Sequence, residues 1–240
     1  MQGKIPVHAL RGIDFSVEEG EYVAILGPSG SGKSTLLNLI GALDVPTKGK
    51  VFISGQDISE LNSRKRAELR RTIGFVFQFY NLIPRISAFK NVELSLSVKN
   101  ISRSERKKIV KKILTDVGLQ DRMKHAPNEL SGGQQQRVAI ARALALDPTY
   151  LLMDEPTGNV DTKTRDMIMK LINQLNKEKG RTIIMITHDQ FIAKDSDRIE
   201  YLVDGKLYHK PPKERIGYNT NSLKKQKLND NKIIASEEKS

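Results

Sequence analysis

The sequence has no cysteine and no apolar run that approaches the roughly 18 residues of a membrane-spanning helix. The first absence excludes disulfides and thiolate metal sites, and the second excludes a chain that crosses a bilayer by itself. Residues 1–14 also lack the apolar block of a secretory signal, so we expect the protein to remain in the cytoplasm. Its 240 residues, 38% hydrophobic and 28% charged, are typical of one soluble domain with a sizeable core.

The formal net charge of +12 is distributed unevenly along the chain. Residues 210–240 contain seven lysines and one arginine against four acidic side chains, and two further basic clusters occupy residues 64–71 and 103–112. We favour solvated helix faces as the explanation, with attraction to an anionic membrane surface as the alternative. No helix-turn-helix, zinc-finger or stacking-aromatic pattern accompanies the charge, so a nucleic-acid partner is not expected.

Short apolar runs that alternate with helical patterns predict an α/β fold with a mainly parallel sheet. Residues 22–26 are continuously apolar, as expected of a central strand that is covered on both faces. The other predicted strands are 9–17, 50–54, 150–153, 182–186 and a closing hairpin of 199–203 and 206–209. The predicted helices are 33–43, 137–146 and 163–179, the last of which ends at Gly180.

A helical segment interrupts this alternation between about residues 78 and 128. Ser104 is the predicted N-cap of a helix whose apolar stripe includes Val110. We therefore predict one domain over residues 1–209, with a helical subdomain inserted at about 79–145. Residues 210–240 are polar, rich in lysine and contain a Pro-Pro pair, so we expect a basic, disordered tail.

Residues 27–34 (GPSGSGKS) match the phosphate-loop pattern G-x-x-x-x-G-K-[ST] between a predicted strand and a predicted helix. Glycines let backbone N–H groups turn towards an anion, and the following helix adds its positive end. Lys33 would neutralise the β- and γ-phosphates, and the Ser34 hydroxyl would ligate Mg²⁺. A purely structural glycine loop is the weaker alternative. The predicted nucleotide-binding residues here are Gly27, Pro28, Ser29, Gly30, Ser31, Gly32, Lys33, Ser34 and Thr35.

The apolar strand at 150–153 is followed by two carboxylates, Asp154 and Glu155. The carboxyl ends of parallel strands meet at one edge of the sheet, so Asp154 is expected beside the phosphate loop, where it can hold Mg²⁺ through water. Glu155 is then positioned to orient and deprotonate the attacking water. Taken alone, Asp-Glu after an apolar run is equally compatible with a solvated strand end. Together with the phosphate loop, it indicates hydrolysis of a nucleoside triphosphate.

Residues 130–137 (LSGGQQQR) resemble the signature motif of the ATP-binding cassette (ABC) ATPases. Ser131, Gly132 and Gly133 can form a second anion cradle at the start of a helix, although a simple helix cap is the alternative for such a turn taken alone. The resemblance covers about residues 7–209.

Three more positions fit the family pattern in the right order. Gln78 resembles the glutamine that senses Mg²⁺ and the lytic water between the core and the helical subdomain. Residues 158–161 (GNVD), which end at Asp161, resemble the D-loop. His188 resembles the switch histidine that binds the γ-phosphate.

The resemblance implies a phosphate-loop NTPase (RecA-like) fold, with a mainly parallel sheet core, an N-terminal antiparallel β portion and an inserted α-helical subdomain. In this family the signature of one subunit closes on the nucleotide bound by the phosphate loop of another. The resemblance therefore implies ATP and Mg²⁺ as ligands, a head-to-tail dimer with a second copy of the chain, and a separate transmembrane permease that holds the protein at the cytoplasmic face of the cell membrane. The implied catalytic residues are Glu155, His188 and Gln78, and the implied metal ligands are Ser34, Gln78 and Asp154.

Three segments look like one branch of the family, which contains lipoprotein-releasing, macrolide- and peptide-exporting, and cell-division ATPases. They are residues 36–44 (LLNLIGALD), 81–84 (NLIP) and 155–161 (EPTGNVD). Export or extraction of a lipoprotein, peptide or antibiotic-like substrate is the first hypothesis, and regulation of wall enzymes in cell division is the second. A non-transport ABC ATPase and an inactive nucleotide-binding scaffold are the alternatives from other classes.

Two positions depart from the family pattern. Relatives usually begin with one more strand and an aromatic residue that stacks on adenine, but no tyrosine precedes Tyr22 here. We favour a shortened start; the alternatives are replacement of that aromatic residue by His8 or another group, or an adenine that is held loosely. Lys90 stands where relatives usually have an acid, which predicts an altered contact near the permease-facing groove.

Overall fold

The computed structural model describes residues 8–212. From residue 213 onwards the predicted tail therefore lies outside the described residues. The compact unit that contains the described core extends to His209. None of the helices in the described part of the chain is long and apolar enough to cross a membrane.

Eight strands follow one another along the described residues. They are β1 (Tyr22–Leu26), β2 (Phe52–Ile53), β3 (Gln56–Asp57), β4 (Ile73–Val76), β5 (Tyr150–Asp154), β6 (Thr182–Thr187), β7 (Arg198–Val203) and β8 (Lys206–Tyr208). Six of them form a central sheet in the order β4-β5-β6-β1-β7-β8, in which only β8 runs antiparallel to its neighbour. Every residue of β1 is buried, which explains its unbroken apolar sequence. The predicted α/β fold with a mainly parallel sheet is confirmed, and β2 and β3 supply a small antiparallel sheet.

The carboxyl ends of the central strands lie level with one another. Leu26 at the end of β1 pairs with Thr187 at the end of β6, and Asp154 at the end of β5 pairs with Ile186. The segments that leave these three strands therefore emerge together at one edge of the sheet, where parallel sheets bind their ligands.

Seven α-helices accompany the sheet within the described residues. They are α1 (Lys33–Ile40), α2 (Ser63–Leu69), α3 (Ala88–Ser95), α4 (Arg103–Asp116), α5 (Gly132–Leu144), α6 (Thr162–Lys177) and α7 (Gln190–Ala193). Short 3₁₀ segments occupy Arg70–Thr72, Leu96–Val98, Gln120–Arg122 and Pro127–Glu129.

The helices between β4 and β5 have an apolar core of their own. Val92 of α3, Val110 and Leu114 of α4 and Val138 of α5 are fully buried in one cluster. Two further clusters contain the sheet residues, one with Leu36 and Leu37 of α1 and the other with buried residues of α5 and α6. α5 thus contributes to both the helical cluster and a sheet cluster, so it joins the two parts of the fold.

The predicted strand at 9–17 is wrong, because this segment has no regular structure. Its alternating apolar residues are nevertheless half-buried and pack against the sheet core, with Leu10, Ile13 and Phe15 among them. Gly12 has φ 75°, which interrupts an extended conformation, and the backbone is tied to the fold by the Arg11 N–H, which donates to the Gly205 carbonyl at 2.8 Å. The alternation of apolar and polar residues therefore reflects burial of one side of the segment and not pairing with another strand.

Other predicted boundaries also shift. The N-cap of α4 is Ser102 rather than Ser104, because the Ser102 hydroxyl accepts a hydrogen bond from the Glu105 N–H at 3.1 Å. α5 begins five residues before the predicted start, at Gly132, since Ser131 caps it. The predicted closing hairpin is confirmed. Its turn residues Asp204 and Gly205 both have positive φ, as a type I′ two-residue hairpin turn requires.

Candidate active site

The phosphate loop connects Leu26 of β1 to Lys33 of α1, and close contacts explain two of its glycines. A Cβ atom on Gly27 would lie 2.3 Å from the carbonyl oxygen of Leu202 in β7. A Cβ atom on Gly32 would lie 2.6 Å from the carbonyl oxygen of Ala9, and Gly32 has φ 103°. Both positions therefore require glycine for the loop to pack against its neighbours.

The Lys33 side chain turns back into the phosphate loop. Its Nζ donates to the carbonyl oxygens of Gly27 and Pro28, each at 2.8 Å. Burial lowers the pKa of Lys33, and the nearby carboxylates of Glu155 and Asp154 oppose that shift. A cation thus lies at the mouth of a loop whose residues Pro28, Ser29 and Gly30 are exposed.

Other loop positions add polar groups to this site. The Ser31 hydroxyl is buried and has no hydrogen-bond partner within residues 8–212. Ser34 is exposed and Thr35 is half-buried in the first turn of α1. The predicted loop residues therefore lie at the amino end of α1, where the helix dipole favours an anion.

Asp154, the last residue of β5, meets the phosphate loop at the carboxyl edge of the sheet, where the sequence predicts it. The Ser34 hydroxyl donates to Oδ2 of Asp154 at 3.4 Å. Burial, followed by the charge of Glu155, raises the pKa of Asp154, while the Ser34 hydrogen bond and the Lys33 charge lower it. The two oxygen atoms are hard donors of the kind that Mg²⁺ prefers.

Glu155 is held by Thr187, the last residue of β6, and by His188, which follows it. Nδ1 of His188 lies 2.8 Å from Oε1 of Glu155, and the Thr187 hydroxyl donates to Oε2 at 3.3 Å. The Glu155 backbone has φ 47° and its N–H donates to the Ile186 carbonyl at 2.9 Å. The Glu155 side chain is only 11% exposed, whereas that of His188 is 66% exposed. The Glu155 carboxylate is therefore mostly buried and fixed in orientation, while the imidazole bonded to it is accessible to solvent.

Thr187 is a site residue that the sequence reasoning missed. Its hydroxyl donates to Glu155 and also accepts a hydrogen bond from the Asp189 N–H at 3.1 Å. A threonine at the end of an apolar strand carries little signal by itself. Only its place beside the preceding strand of the sheet makes it a partner of Glu155.

The turn at 131–133 is both a helix cap and a close packing point. The Ser131 hydroxyl accepts from the Gln134 N–H at 3.3 Å, and the Gln134 side chain accepts from the Ser131 N–H at 3.0 Å. A Cβ atom on Gly133 would lie 2.0 Å from Cγ2 of Thr164, and one on Gly132 would lie 2.9 Å from the Tyr80 hydroxyl. Within residues 8–212, no hydrogen bond joins this turn to the phosphate loop.

Asp161 precedes α6, and Gln78 follows β4. Asp161 caps α6, because its carboxylate accepts from the Thr164 N–H at 3.0 Å and from the Thr164 hydroxyl at 2.7 Å. Those hydrogen bonds hold the pKa of Asp161 below its ordinary value. The Gln78 amide nitrogen lies 3.1 Å from the point that a Cβ on Gly158 would occupy, and its backbone carbonyl accepts from the Asn159 side chain at 3.1 Å.

The chain is similar to a widespread family of proteins. The family described as "ABC transporter" matches residues 10–158. An ABC transporter ATP-binding protein of Thermotoga maritima, named as uncharacterized, is 53% identical over 206 residues, which is 85% of this chain and 88% of the relative. The macrolide export ATP-binding/permease protein MacB of Hyphomonas neptunium is 48% identical over 85% of this chain, but this match spans 32% of MacB.

A solved structure supports the same relationship. MJ0796 of Methanocaldococcus jannaschii, an ABC transporter ATP-binding protein, is 49% identical over 210 residues, covering 85% of this chain and 89% of its own. The dimeric structure of a post-hydrolysis state of this cassette, bound to ADP and Pi, matches with a TM-score of 0.81 at 44% identity, covering 90% of this chain and 95% of that one.

Proposed function

Since this chain belongs to the ABC transporter family of ATP-binding proteins, we propose that it hydrolyses ATP as a head-to-tail dimer that drives a separate transmembrane permease. It is an ABC ATPase. The observation that carries the catalytic part of the proposal is the orientation of Glu155 by His188 and Thr187, next to the Asp154–Ser34 pair.

The phosphate loop binds the triphosphate in this proposal. Backbone N–H groups of the loop residues other than Pro28, which has none, bind the phosphates together with the amino end of α1, and the buried Ser31 hydroxyl is a further donor within the loop. Lys33 exchanges its two bonds to loop carbonyls for bonds to phosphate oxygens. That exchange keeps the ammonium hydrogen-bonded throughout, which lowers the cost of binding.

The residues beside the loop suit Mg²⁺ by the chemistry of their donors. Ser34 and Asp154 offer oxygen atoms 3.4 Å apart, and we assign Gln78 as the third residue of the metal site. When bound, the ion supplies positive charge that stabilises the negative charge on the phosphates. Burial raises the pKa of Asp154 because it disfavours the charged carboxylate. A cation bound beside Asp154 would compensate for that cost.

Glu155 acts as the general base. Water attacks the γ-phosphorus, its proton passes to Glu155, and the bond to the β–γ bridging oxygen breaks to release ADP and phosphate. Thr187 and His188 keep the carboxylate in a single orientation, so little reorganisation is needed at the moment of transfer. With one ring nitrogen of His188 on Glu155, the other is available to bind the γ-phosphate.

The turn at 131–133 completes the site of a second copy of the chain. Ser131 is exposed at the amino end of α5, and Gly132 and Gly133 leave backbone N–H groups without Cβ atoms beside them. We assign Ser131, Gly132, Gly133 and Asp161 to the nucleotide bound by the partner's phosphate loop. ATP is then part of the interface, and its cleavage loosens the dimer. The dimeric state of the MJ0796 cassette supports this assignment.

Replacement of the general base tests the function. Glu155→Gln should bind ATP but hydrolyse it at least about 100-fold more slowly, because the proton acceptor is lost. With ATP it should form a stable dimer by light scattering, whereas the control Lys33→Ala should stay monomeric. Equal ATPase rates in wild type and Glu155→Gln would disprove the role of Glu155. A monomeric Glu155→Gln protein at saturating ATP would disprove the two-chain site.

We further infer a membrane exporter or extractor of a lipoprotein, peptide or antibiotic-like substrate, held at the cytoplasmic face of the cell membrane by its permease. Similarity to the MacB ATP-binding region supports export over the cell-division alternative. The ATP-binding domain in this proposal spans residues 1–209, with the helical subdomain at about 79–145. Co-purification of a membrane protein with the full chain, followed by identification of its extracytoplasmic domain, tests the assignment.

A further inference from the structure

Three loops meet beside the proposed active site. They are residues 78–81 after β4, residues 131–133 before α5, and residues 158–159 between β5 and α6. The proposed function uses Gln78, Ser131 and Asp161 from these segments but gives no role to the side chains that join them. Those side chains are Tyr80, Asn159 and Arg142.

The first loop has an unfavourable backbone that Arg142 of α5 stabilises. Tyr80 and Asn81 have φ 60° and 49°, a left-handed conformation that costs free energy outside glycine. The Arg142 guanidinium donates to the Tyr80 carbonyl at 2.8 Å and to the Asn81 carbonyl. Burial lowers the Arg142 pKa, but an arginine remains charged in proteins, so these are charge-assisted hydrogen bonds.

Asn159 connects this loop to the segment that follows Glu155. Its side-chain Nδ2 donates to the Gln78 carbonyl at 3.1 Å, and its own carbonyl accepts from the Tyr80 hydroxyl at 3.3 Å. The two bonds fix residues on either side of Phe79, whose side chain is 74% exposed. Gln78 is therefore tied by its backbone to Asn159, which lies four residues after Glu155.

The Tyr80 hydroxyl also touches the third loop. A Cβ atom on Gly132 would lie 2.9 Å from it, so the phenol lies directly against the turn before α5. Burial raises the pKa of Tyr80, which keeps the hydroxyl protonated as a donor. One side chain thus contacts the segments that carry Ser131 and Asp161.

We propose that Tyr80 and Asn159, supported by Arg142, are positioning residues that hold Gln78 over the segment after Glu155. This inference rests on the proposed role of Gln78 in the hydrolytic site. The Gln78 side-chain amide makes no hydrogen bond within residues 8–212, so its placement depends on the backbone that these residues anchor.

The test is a set of double mutants with Gln78→Ala. Tyr80→Phe and Asn159→Ala each remove one of the bridging hydrogen bonds. We expect each to lower kcat about three- to tenfold and to raise the Mg²⁺ concentration for half-maximal rate, with ATP affinity changed less than about twofold. Tyr150→Phe is the matched control, because it removes a hydroxyl contact of 2.8 Å to Ser54 at a distant point. It should keep the wild-type rate.

The double mutants separate positioning from general stability. If Tyr80 and Asn159 act through Gln78, adding either substitution to Gln78→Ala should slow it no further. A further loss equal to that in the single variant would overturn the inference, as would wild-type kcat and Mg²⁺ dependence in both single variants. Should Gln78→Ala itself hydrolyse ATP like wild type, the proposed role of Gln78 would fail instead, and the positioning role with it.

Discussion

The molecule contains two glycine turns that each precede a helix, and their surroundings differ. The phosphate loop is completed within the chain, since Lys33 lies inside it and Ser34 reaches Asp154. The turn at 131–133 has its glycines packed against Tyr80 and Thr164 and its serine exposed. Residues 131–136 include neither a cation nor a carboxylate.

The two turns thus differ in the charged groups that surround a helix amino end. Backbone N–H groups and a helix dipole are present at both turns, but they are worth little in water without charged partners. The phosphate loop has such partners in its own chain. Residues 131–136 have no charged partner of this kind, which supports the proposed site shared with a second subunit.

Mixing two inactive variants gives the largest expected effect. Lys33→Ala removes the cation of the first turn and Ser131→Arg blocks the second, so we expect each alone to lose about 100-fold or more of the ATPase rate. A head-to-tail dimer of one copy of each contains one site that is wild type in both halves. The ATPase rate of the mixture should therefore be at least about tenfold higher than that of either variant alone.

The control for this mixture is a combination of Lys33→Ala with Glu155→Gln. In that dimer, both damaged groups belong to the phosphate-loop half, so no intact site forms and the rate should stay low. Absence of recovery in the first mixture, with both proteins folded, would mean that the two turns do not share a nucleotide.

Alanine at the glycines should distinguish the two turns by stability. Gly27→Ala forces a Cβ against the Leu202 carbonyl in a buried strand, so we expect a loss of about 3 kcal/mol or more in the free energy of unfolding. Gly133→Ala meets the Thr164 side chain, whose methyl carbon would be nearest at 2.0 Å, and should cost about 1–3 kcal/mol. Urea unfolding of both variants measures the difference.

A second substitution sharpens that comparison. Thr164→Ser removes the methyl group but keeps the hydroxyl that bonds Asp161, so Gly133→Ala/Thr164→Ser should recover most of the lost stability. No side-chain change can relieve Gly27→Ala in the same way, because a backbone oxygen is in contact. Equal losses for Gly133→Ala with and without Thr164→Ser would contradict this explanation.

The pH dependence of two neighbouring helix caps gives the smallest effect. Hydrogen bonds from Thr164 lower the pKa of Asp161, so its contribution is present above the unfolded pKa of about 4 and is lost as pH falls through the folded value. Asp161→Asn keeps a capping oxygen without the charge. It should be less stable than wild type at pH 7, and the gap should narrow below about pH 4.

The cap of α5 is the control for that measurement. Ser131 carries no charge, so Ser131→Ala should cost about 1 kcal/mol at every pH at which wild type unfolds cooperatively. Urea unfolding from pH 7 downwards tests both variants. A gap for Asp161→Asn that stays constant with pH would show that its carboxylate charge does not stabilise the cap.

Local sequence patterns predicted much of the fold because many elements are specified by residues that are adjacent in the sequence. The strand, glycine loop and helix at 22–40 are contiguous, and so are the turn residues Asp204 and Gly205. The segment at 9–17 failed as a strand because an alternating pattern reports burial, while strand pairing depends on a distant partner. The roles of the site residues stay predictions until the variants are measured.

Some of the missed features had a signal in the sequence. Ser131 with Gln134 forms a capping box, a pattern that places the start of α5 at Gly132 without any structure. Asp161 three residues before Thr164 is likewise a recognisable helix cap. Thr187, Tyr80 and Arg142 had no such signal, since their partners are 32 to 79 residues away.

The amino-acid sequence by itself determined the order of strands, glycine turns and helices, because each depends on neighbours a few residues away. It also determined which residues carry charge and hydroxyl groups at the strand ends. Only the tertiary structure decided which of these groups meet: Glu155 with His188 and Thr187, and Tyr80 with Asn159. Such contacts depend on the register of parallel strands and on the packing of α5, which are properties of the whole fold rather than of any short segment.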